Sequence, residues 1–217
     1  MTDGPLSLPA RLCLLAWDSA RPPAADAGRL AGLVRAGALT ELAQRGLLID
    51  EDGIATPVDL DARAGDAVLD GLLELVHESC PHSWRTWVTL RARVTLDAVR
   101  EQLVAGGYLR AEKKRVLGVF PSVDHALERV TAVEALREET RRILRGPWPV
   151  AETSWRDAAL VTLTAAADLL PEQDVHAHEQ RVEELTERAG ATAPGLRKIV
   201  RELRTAVTTE PTPSALR

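Results

Sequence analysis

Basic residues are concentrated in one middle segment of this sequence, and their type and spacing suit them to bind anions. The segment from Trp84 to Arg115 holds eight basic and three acidic residues, a charge of +5 over 32 residues. The whole chain of 217 residues carries −5, so the remaining 185 residues sum to −10. Guanidinium groups suit phosphates because they stay charged and present a planar fork of donors. The segment therefore predicts an anion-binding surface on an otherwise acidic protein.

Motifs for catalysis, metal binding and nucleotide binding are missing from the sequence. It has no recognisable nucleophile beside a base, no phosphate-binding loop and no dinucleotide fingerprint. His176 and His178 have no distant Cys or His partner, and the acidic turn at 50–53 is not followed by a loop of calcium ligands. Cys13 and Cys80 lie among apolar neighbours without zinc or redox spacing. We therefore expect a protein that is not an enzyme and uses no metal or cofactor.

Composition and hydropathy favour a helical protein that does not span a membrane. Phe and Tyr occur once each, so the core must consist mostly of Leu, Val and Ala, which favours helices over a β-sandwich. The longest apolar run, 158–170, falls short of the roughly 18 residues required to cross a bilayer. The apolar stretch at 6–17 lacks a basic leader and is interrupted by Arg11, so we interpret it as a buried helix rather than a signal peptide. We expect a cytoplasmic location, peripheral on the inner face of the membrane.

Apolar residues recur at helical spacing along most of the chain. This pattern predicts helices over 29–45, 66–79, 83–90, 94–105, 123–144, 158–170 and 196–207, with a short one at Val182 and Leu185. Two β-hairpins are predicted, at 47–58 and at 108–120, the second with a basic tip at 112–115. The expected fold is mainly α: a single helical domain over 1–207, a bundle with surrounding amphipathic helices plus short β-hairpins. A flexible tail is expected over 208–217.

Five motifs follow one another in the order typical of the Golgi phosphoprotein 3 family. Residues 34–46 resemble the family's helix signature, and 67–73 resemble the start of its next apolar helix. A tryptophan-containing stretch, a helix end at 103–109 and a hairpin at 115–121 complete the series. The resemblance covers about residues 6 to 205, nearly the whole chain. It implies a mostly helical domain with a projecting hairpin and a peripheral, adaptor-type function.

The resemblance also implies a ligand and a set of site residues. Eukaryotic members bind phosphatidylinositol 4-phosphate at a membrane and engage the cytoplasmic tails of glycosyltransferases. Two of the family's headgroup-binding arginines fall on Arg35 and Arg93, whereas its tryptophan falls on Asp26 and its remaining arginine on Leu96. Arg91 and Arg100 lie near enough to compensate for the two positions that are lost. We therefore expect Arg35, Arg91 and Arg93 to bind the headgroup of an anionic phospholipid, with tails of membrane proteins as further partners.

Two further features of the sequence, an apolar hairpin and a bias toward arginine, lead to further predictions. The second hairpin is more apolar than an exposed loop requires, which predicts membrane insertion or homo-oligomer formation through Val116, Leu117, Val119 and Phe120. Arginine outnumbers lysine 24 to 3, a bias typical of high-GC bacterial genes. A bacterial protein has no Golgi, so the trafficking role of the eukaryotic relatives is not transferred.

Two other classes of function remain open. A helix that ends at Gly106–Gly107 and continues into a basic hairpin is also the local pattern of a winged-helix nucleic-acid-binding domain. Asp97 and Glu101 on that helix, together with the acidic charge of the rest of the chain, count against it, so we expect no nucleic-acid partner. The third class is a protein-interaction scaffold without a lipid site. Trp84 and Trp87 are interpreted as core packing rather than as a membrane wedge.

Overall fold

The computed structural model describes residues 6–17, 27–116, 120–170, 172–191, 200–201 and 205. Over these residues helices dominate, and the mainly α fold expected from the sequence is confirmed. The helices are α1 (Leu8–Leu15), α2 (Ala27–Gln44), α3 (Ala67–Glu78), α4 (Trp84–Thr89), α5 (Ala92–Ala105), α6 (Val130–Arg145), α7 (Trp155–Ala166), α8 (Glu172–Ala177) and α9 (Glu179–Ala189). The strands are β1 (Leu48–Glu51), β2 (Ile54–Pro57), β3 (Leu109–Val116) and β4 (Phe120–Leu127).

Helix α2 is the centre of the fold. Every residue from 31 to 43 is buried, and α1, α3, α4, α5 and α7 all pack against this helix. Gly37 allows α1 to approach closely, since a Cβ at this position would lie 3.3 Å from the Cα of Pro9 and would overlap the side chain of Leu12. Because α2 is covered on all sides, the polar residues it carries are held inside the protein.

Side-chain caps fix where two of the helices, α3 and α7, begin. The carboxylate of Asp66 accepts hydrogen bonds from the backbone N–H groups of Val68 and Leu69 at 3.0 and 3.1 Å, which starts α3. The Ser154 hydroxyl accepts from the N–H of Asp157 at 3.1 Å and starts α7. Such caps satisfy N–H groups that have no partner within the helix.

The two β-hairpins form separate two-stranded antiparallel sheets. The first, β1–β2, is joined to α4 by a hydrogen bond from Trp84 Nε1 to Asp50 Oδ1 at 3.1 Å. The second, β3–β4, pairs Leu109 with Leu127 and continues to the pair Val116–Phe120. Of the four residues predicted to form an apolar hairpin contact, these last two end the ladder, and Leu117 and Val119 lie outside the described residues.

The second hairpin is longer than the sequence pattern predicts, and two predictions are wrong there. Residues 112–115 lie within β3 and not at a tip, and residues 123–127 belong to β4 and not to the next helix, which begins at Val130. Strand pairing between residues up to 18 positions apart is not visible in a local periodicity, which explains both errors. The helix predicted at 196–207 and the tail at 208–217 lie almost entirely outside the described residues. The single-domain boundary at residue 207 stays a prediction.

None of the described helices combines the length and the apolar character needed to cross a membrane.

Candidate anion-binding site

The junction between α4 and α5 carries basic residues and no acidic ones. From Ser83 to Leu96 the sequence has no acidic residue, and its three arginines, Arg85, Arg91 and Arg93, are all exposed. Only Leu90 and Arg91 separate the two helices. The first turn of α5, a helix of 14 residues, therefore presents cationic side chains together with the positive end of the helix dipole.

The backbone of Arg91 is held in an unfavourable conformation at this junction. Arg91 precedes the first residue of α5 with φ 51° and ψ 30°, and its side chain makes no capping hydrogen bond. A left-handed conformation is disfavoured for residues other than glycine and persists only where the surroundings impose it. The turn from α4 into α5 must therefore be fixed by neighbouring groups.

Arg35 provides a side-chain hydrogen bond to this turn. This residue lies on α2 with an exposed fraction of 0%, and its Nη2 donates a hydrogen bond of 2.9 Å to the backbone carbonyl of Arg91. Its Nε and Nη1 atoms are buried and have no hydrogen-bond partner, and no carboxylate of the described residues forms an ion pair with it. Burial, followed by the nearby cation of Arg91, lowers the pKa of Arg35 to about 10. It is therefore a charged, incompletely paired cation at neutral pH.

Two buried tryptophans hold α4 in place beside this junction. Trp84 and Trp87 are both fully buried, which confirms their interpretation as core packing. The Trp87 ring also meets the ring of His82 edge-on, with 5.4 Å between centroids. Because α4 packs against both α2 and α5, packing in the core determines where Arg91 and Arg93, which follow α4, are placed. The site is preorganised by packing and does not rely on long loops.

Comparison with known proteins identifies the family. The sequence model described as Golgi phosphoprotein 3 (GPP34) matches residues 8–203, a range that takes in every described helix and strand and the whole α4–α5 junction. The chain belongs to the Golgi phosphoprotein 3 family. A search of curated proteins returns no match. Golgi phosphoprotein 3 proteins are not a known enzyme family, and membership suggests an adaptor-type protein.

The structure brings together some of the residues expected from the Golgi phosphoprotein 3 resemblance and separates others. Arg35 and Arg91 are in direct contact, and Arg93 lies in the same first turn of α5, but Arg35 is beneath the surface formed by the other two. Leu96 is 2% exposed and belongs to the core. Asp26 lies outside the described residues.

Arg100 belongs to a different part of the Golgi phosphoprotein 3 domain. It is nine residues beyond Arg91 along α5, a helical rise of about 13 Å. Its Nη1 lies 3.9 Å from Asp97 Oδ1, and only 18% of its side chain is exposed. It therefore does not replace the arginine that the family pattern has at Leu96.

Val94 is the residue of this surface that sequence analysis missed. It follows Arg93 in the first turn of α5 and has an exposed fraction of 56%. The inward residues of α5 include Leu96 and Val99, and Val94 is about 200° around the helix from Leu96. An apolar residue opposite the buried stripe and adjacent to two arginines is a signal that the sequence already contained.

Two other kinds of site can be compared with the junction among the described residues. In that part of the chain no group of three His, Cys, Asp or Glu residues is placed to hold a metal ion. A cleft of about 510 Å³ lies between α1, α6 and α7. Its charged groups pair with one another, as in the 2.7 Å ion pair between Arg11 and Asp157.

Proposed function

We propose that this Golgi phosphoprotein 3 family protein is a peripheral membrane adaptor that binds anionic phospholipid headgroups at the start of α5. The observation that carries the proposal is the buried, incompletely paired guanidinium of Arg35 beneath the exposed Arg91 and Arg93. A buried cation without a carboxylate is costly to the fold, and it is retained most readily where an anion binds. Phosphatidylinositol 4-phosphate, the headgroup implied by the family resemblance, is the natural test lipid.

The two exposed arginines, Arg91 and Arg93, provide the electrostatic attraction to an anionic membrane surface. A basic residue near an anionic membrane contributes about 1 kcal/mol, so Arg91 and Arg93 together contribute about 2 kcal/mol, or about thirtyfold in partitioning. This attraction is too weak to hold the protein by itself. Stable attachment therefore needs a second contact, in the way that lipid-anchored proteins need two signals.

The proposal is tested by reversing the charge of the two exposed arginines. Arg91→Glu/Arg93→Glu should reduce co-sedimentation with vesicles of phosphatidylcholine and phosphatidylserine by thirtyfold or more, because attraction becomes repulsion. Arg35 is unsuitable for this reversal, since a buried carboxylate there would disturb the core. Arg141→Glu/Arg142→Glu on α6 is the matched control, since it changes the net charge equally and α6 packs on α1 and α7 instead.

Salt and lipid composition provide the decisive conditions. Raising the salt concentration to about 0.5 M shortens the screening length to about 4 Å and should release the wild-type protein. Adding phosphatidylinositol 4-phosphate to the vesicles tests the specific headgroup against general negative charge. Equal sedimentation of the wild type and the Arg91/Arg93 variant would contradict the proposal and favour a scaffold without a lipid site. A shift of duplex DNA in a gel, without vesicle binding, would favour the winged-helix alternative.

Adaptor function also requires protein partners. Cytoplasmic tails of membrane proteins are the partner class that the resemblance implies, and binding through the junction would bring the protein to the surface from which such tails emerge. Self-association through the second hairpin is the further prediction from sequence. Both belong to the proposed function.

A further inference from the structure

The first turn of α5 presents an exposed apolar side chain among its cationic ones. Val94 is 56% exposed, lies next to Arg93 and is three residues from Arg91. Leu90, which follows the last residue of α4, is half-buried against the core. A single exposed valine is ordinary on a protein surface. Here, however, it is embedded in a stretch without acidic residues, three residues from the Arg91 carbonyl that accepts a hydrogen bond from the buried guanidinium of Arg35.

We propose that Val94 is the apolar contact of this surface and that it enters the headgroup layer when Arg91 and Arg93 bind lipid phosphates. The inference rests on the proposed function and adds the second signal that charge alone does not supply. Arginine side chains are long enough to stay at phosphate level while a shorter apolar residue reaches deeper. An apolar residue flanked by basic ones is the composition of interfacial membrane-binding segments.

The charges further along α5 determine how the helix meets the membrane. Asp97 and Glu101 are exposed on the same face of α5 as Val94, one and two turns further along the helix. An α5 lying flat would bring both carboxylates against anionic headgroups. The helix must therefore approach end-on, with its first turn at the surface and residue 101 about 10 Å away from it. Insertion is limited to one turn.

The first experiment measures the environment of position 94 directly. In a Cys80→Ser background, the remaining Cys13 is buried and does not react, so Val94→Cys can be labelled with the environment-sensitive fluorophore NBD. On vesicles of equal parts phosphatidylcholine and phosphatidylserine, the emission should shift to the blue and brighten.

Val130→Cys is the matched control for this measurement. Val130 is also an exposed valine in the first turn of a helix, and it lies near the opposite end of α5, because the N–H of Glu128 bonds to the carbonyl of Tyr108 at 2.9 Å. Its emission should not change.

The second experiment measures the contribution of Val94 to binding without a label. Val94→Ser should weaken sedimentation with the same vesicles about fivefold, since about half of the valine side chain is available for burial. Val130→Ser should bind like the wild type. Serine is well tolerated near the start of a helix, so circular dichroism should be unchanged.

The outcomes separate the two proposals. If the wild-type protein does not sediment with anionic vesicles at all, the proposed function and this inference both fail. If the wild type binds in a salt-sensitive way but the label at position 94 stays in a water-like environment and Val94→Ser binds equally well, only this inference is overturned.

Discussion

A single arginine illustrates the conflict between stability and function in this protein. Arg35 has lost its hydration, and the one hydrogen bond it makes goes to a neutral carbonyl. Desolvation disfavours the charged form, which is why the pKa of Arg35 is lowered from its ordinary value to about 10. Replacement of a buried, poorly paired ion by an apolar side chain of similar size is often stabilising. A cation kept under these conditions is better explained by binding than by folding.

Arg35→Met should therefore stabilise the protein and impair vesicle binding. The lowered pKa of Arg35 corresponds to about 3 kcal/mol of unfavourable desolvation in the folded state. Loss of the hydrogen bond to the Arg91 carbonyl offsets part of the gain from removing this charge. We expect the free energy of unfolding, measured in urea at pH 7, to rise by about 1 to 2 kcal/mol. Because the folded pKa is the lower one, the gain over the wild type should shrink above pH 10, where the wild-type side chain loses its proton.

Vesicle binding by Arg35→Met should fall because Arg91 loses the group that holds its backbone. Arg100→Met, a change of the same type on a partly buried arginine of α5, should leave vesicle binding intact. A less stable Arg35→Met protein that binds vesicles normally would mean that Arg35 serves only the fold.

At the scale of elements, α1 packs closely on α2 at Gly37. The neighbouring atoms leave no room for a Cβ there, whereas a Cβ on Gly71 of α3 would meet nothing within 4 Å. Alanine is favoured over glycine inside a helix by about 0.5 to 1 kcal/mol. Gly71→Ala should therefore raise the free energy of unfolding by about this amount.

Gly37→Ala should lower the free energy of unfolding by about 1 to 3 kcal/mol, because Leu12 must move within a filled core. The two variants share one helix-propensity gain, so the difference between their thermal unfolding midpoints isolates the packing of α1 on α2. Equal midpoints would show that α1 shifts freely and that α2 is not the tightly packed centre described above.

The elements also show what the sequence could and could not predict. The helices with strong apolar stripes and caps, such as α3 with Asp66 and α7 with Ser154, were predicted within a few residues because those signals are local. The length of β3–β4 was missed because its pairing partners are distant in sequence. The burial of Arg35 was missed for a related reason. An arginine gives no local sign that other helices cover the helix that carries it, as α1, α3, α4, α5 and α7 cover α2.

At the scale of the whole molecule, one buried carboxylate connects distant parts of the chain. Glu41 of α2 is 0% exposed and accepts hydrogen bonds from the backbone N–H of Leu8 at 2.6 Å, from Arg45 at 2.5 Å and from Arg156 at 2.6 Å. Arg45 lies one helical turn beyond Glu41, the spacing at which such ion pairs form. The contacts with the start of α1 and with α7 could not be predicted, because they join residues 33 and 115 positions apart.

Glu41→Gln should destabilise the entire chain as one unit. The glutamine amide keeps the size of the side chain, but its NH₂ group can only donate and therefore faces donors that need an acceptor. In addition, Arg45 and Arg156 lose their negatively charged partner. Removal of one partner from a buried ion pair costs about 3 kcal/mol or more. Because α1, α2 and α7 share this carboxylate, the urea midpoints measured by circular dichroism and by tryptophan fluorescence should fall together.

Glu138→Gln provides the matched comparison, since Glu138 is a largely exposed residue whose Oε2 lies 3.8 Å from Arg141. Exposed ion pairs of this kind contribute about 0 to 1 kcal/mol, so its midpoint should hardly move. If the two probes separate in Glu41→Gln, with fluorescence of the α4 region unchanged while helical signal is lost, the chain unfolds in parts. The prediction of a single domain over 1–207 would then be wrong, and the α4–α5 junction would be stable independently of α1 and α7.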